Sequence, residues 1–145
     1  MSDLPYTKEV LRLAADATGA GRLDPPCRSH TQFNPACGDR TTIDLRVLEG
    51  RITAVAQDTR ACILTQASAS ILGAALAGQN AGDLLNLRRQ VEAMLQGGPP
   101  PEGRFAAYGA LADAAAHAGR HTCVLLPIEA AVNAMAGSDL TEPGG

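Results

Sequence analysis

Thr41-Thr42-Ile43-Asp44-Leu45-Arg46-Val47-Leu48 alternates along its length, with Ile43, Leu45 and Val47 on one side and Thr42, Asp44 and Arg46 on the other. A period of two marks a strand with one face buried. Glu49-Gly50 follows, and Arg51 to Thr59 is a second strand-like run carrying Ile52 and Val55. The pair reads as an antiparallel hairpin with one solvated face. Upstream, Ser29 to Phe33 is a further strand that can pair beside it.

Outward from the hairpin the period changes to that of helices. After Cys62, Ile63, Ala67, Ile71 and Ala74 fall on one stripe, with Gly78 as a stop. Asp83 to Gln96 buries Leu84, Leu87, Val91 and Met94/Leu95, and Asp83 suits the positive end of that helix. Gly97 to Gly103 holds three consecutive prolines and reads as a surface loop. Ala110 to Ala118 is Ala-rich and helical, as filler or partner surface. Cys123 to Met135 is a last helix facing inward through Val124, Ile128, Val132 and Met135, with Pro127 tolerable only in its first turn. Upstream of the sheet, Pro5 to about Ala17 forms a first amphipathic helix, buried through Val10, Leu11, Leu13 and Ala14 and ended by Gly19. Gly19 to His30 is loop. Strands followed by helices give an α+β fold, a small antiparallel sheet of about three strands covered on one face by helices. The 145 residues form a single domain, 1–145, with a loose tail from about 138.

Composition narrows the function classes. Apolar residues make up 46%, aromatics only 3% with no Trp, and net charge is −3. The core must come from aliphatic and small side chains, and there is no aromatic platform or basic run for nucleic acid. No apolar run is long enough to span a bilayer, and Met1-Ser2-Asp3-Leu4 does not open a signal peptide, so a cytoplasmic protein without a membrane partner is expected.

In a reducing compartment four cysteines point to metal or redox chemistry rather than disulfides. They stand at Cys27, Cys37, Cys62 and Cys123, with no C-x-x-C pair, so a shared site has to be assembled from distant segments. Asn34-Pro35-Ala36-Cys37-Gly38-Asp39 sets a thiolate and a carboxylate two positions apart around a glycine that can take positive φ. Cys62 lies at one helix N-terminus and Cys123 at another, where unpaired N–H groups favour thiolate. With Asp39 the three sulfurs make a four-ligand set of the kind tetrahedral Zn²⁺ or a cluster iron takes. Taken singly, each cysteine is more often inert core than ligand. Cys27 reads as a surface or packing thiol, Arg40 as a solvated strand-end charge, and Ser68 and Ser70 as packing or back-bonding hydroxyls. His30, His117 and His121 are expected to be exposed. A Cys–His thiol hydrolase would need a base oriented on a cysteine, which no histidine segment suggests. A purely structural zinc domain is the other competing reading.

Asn34-Pro-Ala-Cys-Gly-Asp-Arg40, then Cys62-Ile-Leu-Thr-Gln-Ala-Ser-Ala-Ser70, then a lone cysteine opening the last helix resembles the IscU/SufU/NifU N-terminal family of iron–sulfur cluster assembly proteins. The similarity runs from Tyr6 to about Met135 with the cysteine segments in family order. The resemblance implies a metal or cluster site at Cys37, Asp39, Cys62 and Cys123, with Gly38 and Arg120 supporting it. It also implies a sulfur-accepting thiol, assigned by analogy to Cys123, and a cysteine desulfurase and downstream assembly or apo-acceptor proteins as partners. The chain is more similar to the SufU branch. About sixty residues separate Cys62 from Cys123, Arg120 completes an Arg-x-x-Cys pattern, and the Leu-Pro-Pro-Val-Lys segment typical of IscU is absent. Thr122 stands where IscU commonly has histidine, and Ala14-Ala15 where a His-Tyr pair is usual. The expected resident metal is Zn²⁺ in a SufU-like sulfur carrier, at most a zinc-dependent sulfurtransferase. The alternative is iron or a [2Fe–2S] cluster on an IscU-type scaffold.

Overall fold

The computed structural model describes residues 7–35 and 38–137. Cys37 and the expected tail lie outside the described residues, as does Pro5. Three strands, β1 (Arg28–Asn34), β2 (Asp39–Leu48) and β3 (Arg51–Arg60), form an antiparallel sheet in chain order. Around it stand α1 (Lys8–Asp16), α2 (Ile63–Ala75), α3 (Ala81–Leu95) and α4 (His121–Ala136). The expected α+β architecture of three strands and covering helices is what forms.

The hairpin closes through Glu49 and Gly50, at φ 53° and 80°. Positive φ at both central positions matches the right-handed twist of the flanking strands. Ile43, Leu45 and Ile52 are fully buried beneath α2 and α4, as the alternation predicts. The opposite face is not simply solvated. Asp44 is 0% exposed there, because the loop before β1 folds across it. Arg22 Nε donates to Asp44 Oδ2 at 2.7 Å, Ser29 Oγ to Oδ1 at 2.6 Å, and the Leu23 N–H to Oδ2 at 3.0 Å. Burial alone would raise this carboxyl, but the bonds from Arg22, Ser29 and Leu23 outweigh it and hold it below the ordinary carboxylate range.

The helices differ from expectation where small residues blur the periodicity. α3 buries the predicted Leu84, Leu87, Val91, Met94 and Leu95, and starts in a reciprocal Asn80–Asp83 capping box. α2 is buried nearly all round, from Leu64 to Ala75, and of the predicted stripe Ala74 is exposed. The first helix begins at the Thr7 cap and ends with Ala17, not glycine, in the left-handed region. Leu11 is 45% exposed; Val10 and Ala14 carry the buried face. Gly73 of α2 lies against the turn after α1, where an added Cβ would sit 2.0 Å from the Thr18 carbonyl oxygen. That contact admits only glycine.

Gly103–Ala116 is a 3₁₀ stretch kinked at Phe105. It buries Tyr108, whose hydroxyl lies 2.8 Å from Ser68 Oγ. α4 starts at His121, so Cys123 is its third residue and Pro127 its seventh, beyond the first turn. A proline there withholds the N–H that Cys123 O would accept. Thr65 Oγ1 donates to that carbonyl instead at 2.9 Å, and Ser68 Oγ to the next, Val124 O, at 2.7 Å. Side chains of α2 therefore replace what the proline removes. No helix among the described residues is long and apolar enough to cross a membrane.

Candidate metal centre

The sheet register brings the acidic side chain to the first sulfur. β1 and β2 pair Asn34 with Asp39, and β2 and β3 pair Arg40 with Arg60. Asp39 therefore starts β2 at the sheet end where β3 runs out toward Cys62. Gly38 takes φ +76° in the connection, as the turn requires, and its N–H donates to Asn34 O at 2.8 Å. Cys62 is the N-cap of α2 with extended backbone, and its N–H reaches Asp39 Oδ2 at 3.4 Å.

The third group arrives with α4, which packs on β1, β2 and α2. The Thr65 bond ties the first turn of α4 at Cys123 to α2, and Asn34 Nδ2 lies 3.5 Å from Thr122 Oγ1. One ligand atom from each of Asp39, Cys62 and Cys123 lies within 4.8 Å of the other two. For tetrahedral zinc with bonds near 2.3 Å, two sulfur ligands stand about 3.8 Å apart. A donor set of two thiols and a carboxylate converging within 4.8 Å is of the kind that holds one metal ion. Cys37 lies outside the described residues; three of the four expected ligand residues are brought together.

The expected tendency of a helix N-terminus to favour thiolate is opposed at Cys123. This residue is 4% exposed. Burial pushes its thiol up to about 11, the neighbouring Cys62 and Asp39 add to the rise, and a hydrogen bond from Arg120 opposes it. A cation among these groups would reverse the balance and favour thiolate.

The remaining candidates fall elsewhere. Cys27 is 5% exposed and is a packing thiol outside this group. Arg40 is exposed, and Ser70 Oγ accepts from the Thr18 N–H at 3.1 Å. The three histidines are half-buried rather than exposed. None joins the ligand group among the described residues, and the His121 ring nitrogen Nε2 lies 3.2 Å from Ala115 O. Thr65, which touches both the Cys123 backbone and, at 3.5 Å, Cys62 Sγ, escaped sequence reading. Its signal was Pro127, four residues after Cys123, whose missing N–H calls for a donor from another element.

The family model for the NifU-like N terminal domain matches residues 5–123. The iron–sulfur cluster assembly scaffold protein IscU of Thermotoga maritima is 26% identical over 121 residues, 83% of this chain and 85% of its own. The crystal structure of a nitrogen-fixing NifU-like protein (N-terminal) from Brucella abortus has TM-score 0.86 and 31% identity, covering 90% of this chain and 92% of that one. A SUF-system iron–sulfur cluster assembly scaffold protein from Fervidobacterium islandicum AW-1 shares the fold, with TM-score 0.81 at 20% identity over 90% of this chain and 96% of its own. The family match spans most of the chain and contains the three residues whose ligand atoms converge: this protein belongs to the NifU-like N-terminal domain family.

Proposed function

We propose that the chain works in iron–sulfur cluster biogenesis as a sulfur acceptor, with Cys123 receiving persulfide sulfur from a cysteine desulfurase and passing it on. The observation that carries this reading is the meeting of Asp39, Cys62 and Cys123 at one end of the sheet, within a family whose relatives are named as cluster assembly scaffolds. Asp39, Cys62 and Cys123, with Cys37, would hold a resident Zn²⁺. Zinc has no redox chemistry, and when bound it would keep the sulfurs anionic and shielded from oxidation.

The protein's own residues account for the transfer. Asp39 is the hard donor of the set, so it is the ligand most readily given up to an incoming group. Arg120 holds the Cys123 sulfur and offsets the excess negative charge of three thiolates and a carboxylate. Cys123 Sγ, as thiolate, attacks the outer sulfur of the desulfurase persulfide. A new S–S bond forms at Cys123 as the old one breaks, and the desulfurase cysteine leaves as thiolate, taking up the proton that Cys123 released. The sulfane sulfur moves without net oxidation or reduction.

Incubation with a cysteine desulfurase and cysteine should place a one-sulfur adduct on Cys123, read by peptide mass spectrometry, and Cys123→Ser should abolish it. Persistence of the adduct in that variant would overturn the assignment. The second reading is an IscU-type scaffold, which the Thermotoga relative favours. Iron and sulfide are then cargo assembled as [2Fe–2S] on the same four residues. Anaerobic reconstitution giving a visible-absorbing cluster that passes to an apo-protein would select it.

A further inference from the structure

We propose that Thr65 is a positioning residue that sets the separation of the Cys62 and Cys123 sulfurs; as a claim about metal binding, this rests on the reading of those sulfurs as ligands. Thr65 is 0% exposed and stands one helical turn after Cys62, on the same face of α2. A hydroxyl carries one hydrogen and two acceptor lone pairs. The hydrogen goes to Cys123 O at 2.9 Å, and the oxygen lies 3.5 Å from Cys62 Sγ. One buried atom therefore touches the side chain of the first sulfur residue and the backbone of the second.

Pro127 makes the contact consequential. In an uninterrupted helix Cys123 O would accept from residue 127, and the backbone of Cys123 would be held by its own helix. With proline at that position, the Thr65 hydroxyl supplies a bond the helix cannot. The Cys123 backbone is thereby referred to α2, the helix whose N-cap is Cys62, rather than to α4 alone. Ser68 provides an internal comparison. It is also 0% exposed and joins the same helices through Val124 O at 2.7 Å, but its other side meets the Tyr108 hydroxyl at 2.8 Å. It supports packing one turn further from the sulfurs.

The test compares Thr65→Val, Thr65→Ser and Ser68→Ala in the full chain. In competition with a chromophoric chelator, Thr65→Val should weaken zinc binding by roughly 10- to 100-fold, the range for losing an outer-shell partner. Thr65→Ser should retain wild-type affinity, and Ser68→Ala should lower Tm while leaving zinc affinity unchanged. A metal-free readout uses phenylarsine oxide, which bridges two close thiols, on apo-protein carrying Cys37→Ser. Capture by Cys62 and Cys123 should slow with Thr65→Val and not with Ser68→Ala. If Thr65→Val binds zinc and the arsenical as wild type does, or loses no more than Ser68→Ala, the proposal is overturned. If the wild type takes up no zinc yet the arsenical contrast persists, the positioning role stands and the metal reading fails.

Discussion

Serine in place of Cys123 should remove tight zinc binding and leave the fold standing. The expected loss exceeds the roughly 100-fold upper range for outer-shell partners, because a ligand itself is removed and a neutral hydroxyl replaces a thiolate. The fold should survive for a reason visible in its core. The continuous cluster running from Val10 to Met135 draws mostly aliphatic residues from the sheet, all four helices and the 3₁₀ stretch, with Cys123 only one member at its edge near the sheet end. Among the described residues, no buried side-chain nitrogen or oxygen lacks a partner. Circular dichroism before and after chelation should therefore show most helix retained, in the variant and in the wild type. Wholesale unfolding on metal removal would place the protein with small domains that fold only around zinc.

The second large effect concerns stability rather than the metal. Asp44→Ala should destabilise by about 3 kcal/mol, the upper end for a hydrogen bond to a charged group, because three such bonds to the buried carboxylate are lost together. The loss goes no higher because the Arg22 side chain, 41% exposed, stays solvated when Asp44, 1% exposed, is removed. At this chain length the change corresponds to a Tm lower by roughly 10 °C. Its pH dependence follows from the direction of the shift. The folded carboxyl is held below its ordinary value, so its stabilisation is complete above the unfolded value of about 3.9 and fades as pH falls through it toward the folded one. Thermal melts should show the full gap between wild type and variant at pH 7, narrowing below about pH 4. A gap that widens on acidification would contradict this account of Asp44.

The same residue shows what the sequence could and could not reveal. The alternation of Thr41 to Leu48 established the strand and its buried side, but period two says nothing about what covers the other face. A loop from residues 20–27 does so, and its reach to Asp44 depends on tertiary packing rather than on any local pattern. α3 was readable because large aliphatic residues recur at helical spacing and polar ones fill the gaps. α2 was readable as a helix, but its alanines and serines hide which side is buried, and it is buried on most of them.

At the candidate site, Cys62 was legible from its position at a helix start, and Asp39 from the glycine turn it shares with Cys37 rather than from the strand it begins. Placing Cys123 at the very start of the last helix was two residues off, which also put Pro127 in the wrong turn and concealed Thr65. For the Cys123 thiol, helix position alone is likewise an incomplete guide. A helix N-terminus favours thiolate, but deep burial beside a second sulfur opposes it more strongly, and only the packed structure shows the burial.

X-ray absorption at the zinc edge of the metal-loaded protein bears most directly on the shared site. Ligation by Cys37, Asp39, Cys62 and Cys123 predicts three sulfur neighbours near 2.3 Å and one oxygen near 2.0 Å, with the sulfur count falling by one in Cys62→Ser. A shell made of nitrogen and oxygen alone, or a sulfur count unchanged in that variant, would contradict it.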